Sequence, residues 1–199
     1  MNQLFILILS SLGFINAQVY DGYTLFTPMS AFDDNATTYL MNNDYEFLHT
    51  WTHDRGPASM PYLLADSTII YPYRVEFPSM EAGGVGGGIQ KQSWDGEILW
   101  EYEFANEQYQ HHHDVEPLPS GNILIIVWEK KTAQEAYDMG RETISNPLNV
   151  MWSTAILELE PESGNIVWEW HIWDHLIQDY NSGSDGPIYA IPTQYCQSL

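Results

Sequence analysis

A single cysteine, Cys196, stands among the 199 residues, so neither an internal disulfide nor a cysteine-based zinc site holds this chain together. Cations are almost as scarce: 6 Lys and Arg oppose 27 Asp and Glu, a formal charge of −21. Such a surface repels a polyphosphate backbone, and the cations, scattered from Arg55 to Arg141, form no stripe, so no nucleic-acid partner is expected. Beyond residue 17 no apolar run is long enough to span a membrane. What is present is aromatic: eight Trp and thirteen Tyr point to stacked sheets with large side chains on their faces, not to a coiled coil or helical bundle.

The first 17 residues read as a signal peptide, with an apolar core from Leu4 to Leu9 continued loosely to Ile15 and a polar start at Gln18. No Lys or Arg precedes that core, and Ile15 is large for its place before the cut, so a buried strand at the chain start is the rival reading. On the first reading residues 18–199 form the mature domain, secreted or periplasmic.

A repeat defines the expected fold. Three turns, at Asn43-Asp44, Asp95-Gly96 and Ser163-Gly164, each lead into an alternating aromatic strand that carries Trp51, Tyr102 or Trp170, and each follows another extended run. Second hairpins at 62–71 and 117–128 follow the first two, giving a four-stranded unit. The aromatics recur after 51 and then 68 residues. Four antiparallel strands copied in tandem predict an all-β, partial β-propeller of about two complete blades and the start of a third. Trp51, Tyr102 and Trp170 then pack between blades. The longer second period holds a short helical insertion at 133–142, with Thr132 as its N-cap. Because propellers close with four to eight blades, the chain is expected to be the N-terminal portion of a longer protein.

Histidine is the unusual polar residue. His111, His112 and His113 stand consecutively before Asp114; in a regular strand His111 and His113 share one face, with His112 and Asp114 on the other. One pair then reaches an open rim, or the run is an exposed loop with no task. His49/His53 and His171/His175 have a four-residue spacing, yet no HExxH helix or cysteine partner accompanies them, so no metal is expected. The glycines at 83–88 lack the Lys-Ser/Thr of a phosphate loop and read as the lead into a strand. Asn35-Ala36-Thr37 matches a glycosylation acceptor, a short pattern of low specificity.

The runs GGIQKQSWDGEILWEYEF, HHHDVEPLPSGNILIIVWE and IVWEWHIWDHLIQDY resemble the arylsulfotransferase family over roughly 22–180. The resemblance implies a secreted or periplasmic β-propeller that moves a sulfuryl group from an aryl sulfate to a phenol acceptor through a transiently sulfated histidine, with no nucleotide donor and no quinone cofactor. It places His112 or His113 on the central funnel. Sulfate also demands local positive charge, for which Arg141 is the visible source beside the histidines. The sulfated histidine and main arginine clamp of the family are expected beyond Leu199, so His112, His113 and Arg141 are the candidate catalytic residues here. His171 and His175 match the family stretch and are read as hydrogen-bonding residues between blades. Two readings of other classes remain open: a non-catalytic extracellular ligand-binding propeller, and an inactive fragment.

Overall fold

A computed structural model describes residues 20–29, 35–80, 83–141, 143–144 and 147–175. The expected leader at 1–17 and Cys196 lie outside these residues. In chain order the strands are β1 (Thr24–Phe26), β2 (Ala36–Met41), β3 (Phe47–His53), β4 (Tyr62–Leu63), β5 (Ile69–Arg74), β6 (Gly87–Gln92), β7 (Ile98–Glu103), β8 (Tyr109–Pro117) and β9 (Ile123–Thr132). After helix α1 (Ala133–Asp138) come β10 (Val150–Glu160), β11 (Asn165–His171) and a 3-10 turn (Ile172–His175). The fold is all-β, as expected.

The strands form three antiparallel meanders: β1-β2-β3, β4-β5-β6-β7 and β8-β9-β10-β11. The four-stranded unit is therefore present, but its phase differs from the one read in the sequence. The repeat groups the hairpin ending at Trp51 with the hairpin at 62–71; the structure divides the chain between them, and the incomplete sheet stands first rather than last. The physical reason is strand pairing: β5 pairs with β6 across the link at 75–86 and β9 with β10 across that at 133–149, whereas β3 pairs with β2 and not with β4. Short links at 54–61 and 104–108 step between sheets, whereas the longer ones at 75–86 and 133–149 join neighbours within a sheet.

The sheets stack in a row around the middle one. On β5 successive side chains point to opposite faces. Ile69 packs with Leu40 and Trp51 of the first sheet, while Ile70 joins Ile89 and a cluster from the third sheet that includes Ile125, Val127, Leu157 and Leu159. Five consecutive residues of β5 are buried, a run that one-sided sheets rarely carry. Trp51 is buried and its Nε1 donates to Ser93 O at 3.0 Å; Tyr102 OH donates to Pro161 O at 2.6 Å. Both tie one sheet to the next, as expected. Trp170 differs: it is 36% exposed on the outward face of the third sheet and stacks on His175.

The helix is shorter than the expected 133–142. Thr132 caps it as anticipated, in a capping box with Glu135. It stops early because Gly140 takes φ +94° and a Schellman pair closes the end, Gly140 N–H donating to Tyr137 O and Arg141 N–H to Ala136 O.

One ionic cluster braces the third sheet. Glu129, buried on β9, pairs with Lys131 Nζ at 2.6 Å and His171 Nδ1 at 3.1 Å, while His171 Nε2 reaches Glu169 at 3.4 Å. His171 thus bonds across its own sheet rather than between sheets. Burial opposes its charged form, but hydrogen bonds and charge from Glu129, then Glu169, outweigh that and raise its pKa. Stability from His171 is complete below the unfolded value and is lost as pH rises through the raised one. Glu129→Gln is expected to lower the His171 titration point, read by imidazole NMR shifts; an unmoved midpoint would contradict this pairing.

Candidate functional site

The triple histidine does not continue the strand alternation. On β8, His111 pairs with Val127 and Val115 with Ile125, so four steps along β8 oppose two along β9. The surplus is a bulge that pushes His112, His113 and Asp114 out of the ladder. This overturns the expected division of faces: the His112 and His113 rings meet edge to face with centroids 4.6 Å apart. His113 has φ +82°, the left-handed region that a side chain occupies only under strain.

Three things hold the bulge. His111 is fully buried; its Nδ1 accepts from Gly87 N–H at 3.2 Å, so the ring proton sits on Nε2 and donates to Asp114 O at 3.2 Å. Asp114 Oδ1 accepts from Ser59 Oγ at 3.1 Å, Tyr62 OH at 3.2 Å and Val115 N–H at 3.0 Å. Burial, then the neighbouring Asp114, pushes the Tyr62 hydroxyl up to about 12, so it stays a donor. The His112 ring lies against Trp128 at 4.0 Å.

The two outer imidazoles converge. A Cβ built on Gly84 would stand 3.3 Å from His112 Nε2 and 3.4 Å from His113 Nδ1, so both nitrogens address one point of the glycine loop. His113 Nδ1 is buried without a hydrogen-bond partner. Such an atom forfeits about 1–3 kcal/mol in the folded state, a cost that Gln92 Oε1 and Ser153 Oγ carry as well. Burial, then the His113 ring, lowers the His112 pKa, which keeps that imidazole neutral with a free lone pair near pH 7. Arg141 follows α1, and its Nε donates to Thr143 O at 3.0 Å. Its backbone N–H donates to Ala136 O at 3.0 Å, which fixes the residue at the helix end.

The remaining histidines sit elsewhere. His53, buried between the first two sheets, accepts at Nδ1 from Gln90 Nε2, donates from Nε2 to Thr38 Oγ1 and stacks on Tyr71 at 3.5 Å. His49 stacks on Trp94, far along β3 from His53, since four strand residues span about 13 Å. Among the described residues no group of three or more His, Cys, Asp or Glu is placed to hold a metal, and no helix is long and apolar enough to cross a membrane. A cleft of about 900 Å³ opens between the second and third sheets, but its lining, which includes Leu63, Trp100 and Pro119, contains no residue of the bulge.

His53 and His111 give a pH signature. Burial lowers both to about 4, His111 being further opposed by His113 and His112. Above pH 6.5 both are neutral in either state and add nothing; between 6.5 and about 4 the unfolded chain takes up the protons first. Stability is expected to fall across that window by up to roughly 3 kcal/mol per histidine. Urea midpoints measured against pH check this, and a flat profile there would contradict it.

Ser59, Tyr62, Gly84 and Trp128 have no signal in the sequence that ties them to the histidines, because they come from other strands and loops. His111 was legible as unusual but not as the buried anchor. A search of curated proteins found no match. The family model "Arylsulfotransferase (ASST)" matches residues 82–193, beginning in the glycine loop and running through the bulge, α1 and the third sheet, a narrower span than the expected 22–180. With that match over more than half its length, the chain belongs to the arylsulfotransferase family.

Proposed function

We propose that the histidine bulge takes part in sulfuryl transfer from a phenolic sulfate ester to a phenol acceptor. The observation that carries this reading is the convergence of His112 Nε2 and His113 Nδ1, one of them buried and unpartnered, beneath a glycine backbone in a family member. In the first half-reaction the donor's S–O(aryl) bond breaks, an S–N bond to an imidazole forms, and phenolate leaves with the electron pair. In the second, the acceptor oxygen attacks sulfur, the N–S bond breaks, and the phenol proton passes to a base. His112 and His113 meet the sulfuryl group with their ring nitrogens, as N–H donors to its oxygens. His111 and Asp114 position them. Arg141 is retained as the source of positive charge in a chain of net charge −21. The three stacked sheets are, on this reading, blades of a β-propeller, and the leader at 1–17 exports the protein to the periplasm or cell exterior.

The test is release of nitrophenol from p-nitrophenyl sulfate by the protein. Release is expected only with a phenol acceptor, with parallel double-reciprocal lines. Release at the same rate without phenol would make the activity hydrolysis. Saturable binding without release would favour the ligand-binding reading.

A further inference from the structure

The cleft between the second and third sheets is walled by both of them. Its floor is the edge of the core, where Ile70 and Ile123 are buried. Ile70, Lys91 and Trp100 stand opposite one another across β5, β6 and β7, so one face of the second sheet carries all three into the opening. Leu63 and Leu99 line it as well and are 39% and 48% exposed. On the third sheet the turn from Pro117 to Asn122 forms the opposite wall, closed by hydrogen bonds from Leu118 N–H to Asn122 O and from Gly121 N–H to Leu118 O. At about 900 Å³ the space falls in the range of small-molecule sites, which combine apolar walls with a few convergent polar groups.

The charged groups available in this cleft are of one sign. Lys91 is the single cation of the lining, and Asp66 already holds its Nζ at 3.2 Å. Hydrogen bonds from Thr68, then Lys91, bring the Asp66 carboxyl down to about 2, so this pair stays charged and closed at neutral pH. The lining has no second cation for Glu160 and Glu162. These two flank Pro161, whose carbonyl accepts from Tyr102 OH at 2.6 Å; that bond ties the turn between β10 and β11 to the second sheet and sets both carboxylates beside the apolar wall.

We infer that the cleft binds a small amphipathic organic cation, a primary amine on an aryl-alkyl body. The body lies against Trp100, Leu63 and Leu99, and the ammonium is met by Glu160 and Glu162. An anion is opposed there by the same carboxylates and by the charge of −21 on the whole chain. The lining includes no residue of the histidine bulge, so this site stands apart from the proposed chemistry and neither depends on the other.

The experiment is titration calorimetry of the 199-residue protein with phenylbutylamine, phenylbutanol and phenylbutyrate, which share one body and differ in charge. The amine is expected to bind saturably, the alcohol about fivefold more weakly and the carboxylate more weakly still. Glu160→Gln and Glu162→Gln are each expected to weaken the amine about three- to fivefold and to leave the alcohol unchanged. Leu99→Ser, at an exposed position, is expected to weaken amine and alcohol alike, because it removes apolar wall and no charge. Circular dichroism confirms that each variant folds. Absence of saturable amine binding overturns the inference, as does a carboxylate that binds as tightly as the amine. Amine binding that all three variants leave intact overturns it too, since the amine then sits elsewhere.

Discussion

Replacing His113 with glycine is expected to yield a more stable protein that no longer turns over aryl sulfate. The side chain at this position sits on a backbone with φ +82°, which costs a non-glycine residue about 1–2 kcal/mol. Its Nδ1 is buried without a partner, a further penalty in the folded state. Glycine removes both, offset in part by the greater freedom it gives the unfolded chain. The net gain is about 1 kcal/mol, or roughly 2–4 °C in Tm for a chain of this size. His113→Ala keeps the strained backbone and should melt below the glycine variant. Both are expected to lose about 10²–10⁴-fold in turnover, the range for a positioned imidazole. Thermal melts and nitrophenol release on the same preparations decide it. A glycine variant with wild-type turnover would remove His113 from the site.

The second large effect is structural. Gly88 on β6 pairs with Tyr73 on one side and Glu103 on the other, and the Tyr73 ring occupies the place where a Cβ would go. Tyr73 is fully buried, so the ring has nowhere to retreat. Gly88→Ala is therefore expected to cost about 3 kcal/mol, the upper range for overpacking. Chemical denaturation measures it. The cause is separable: in a Tyr73→Ala background the same change should cost far less, and a cost that persists there would place the strain in the backbone instead.

This glycine shows what the sequence made legible. The stretch 83–88 reads correctly as the approach to a strand, because it lacks the residues of a phosphate loop. That Gly88 must be glycine depends on a ring from β5, and such pairing over distance leaves no local trace. The hairpins and the Thr132 cap were legible for the converse reason, since turn and cap residues act on their immediate neighbours. Sheet membership was not, because β5 pairs with β6 and β9 with β10 across long links, and pairing over such distances leaves no local trace. The histidine run stood out in the sequence, but its geometry comes from a bulge that alternation rules cannot foresee.

The neighbouring isoleucines of β5, Ile69 and Ile70, look in opposite directions, so the central layer is a party wall with a tenant on each side. Volume altered in one room displaces furniture in the other. Second-site suppressors of a cavity at Leu40 are thus to be sought not just around Leu25, but through the wall at Ile89 or Val115, within a short step of the histidines.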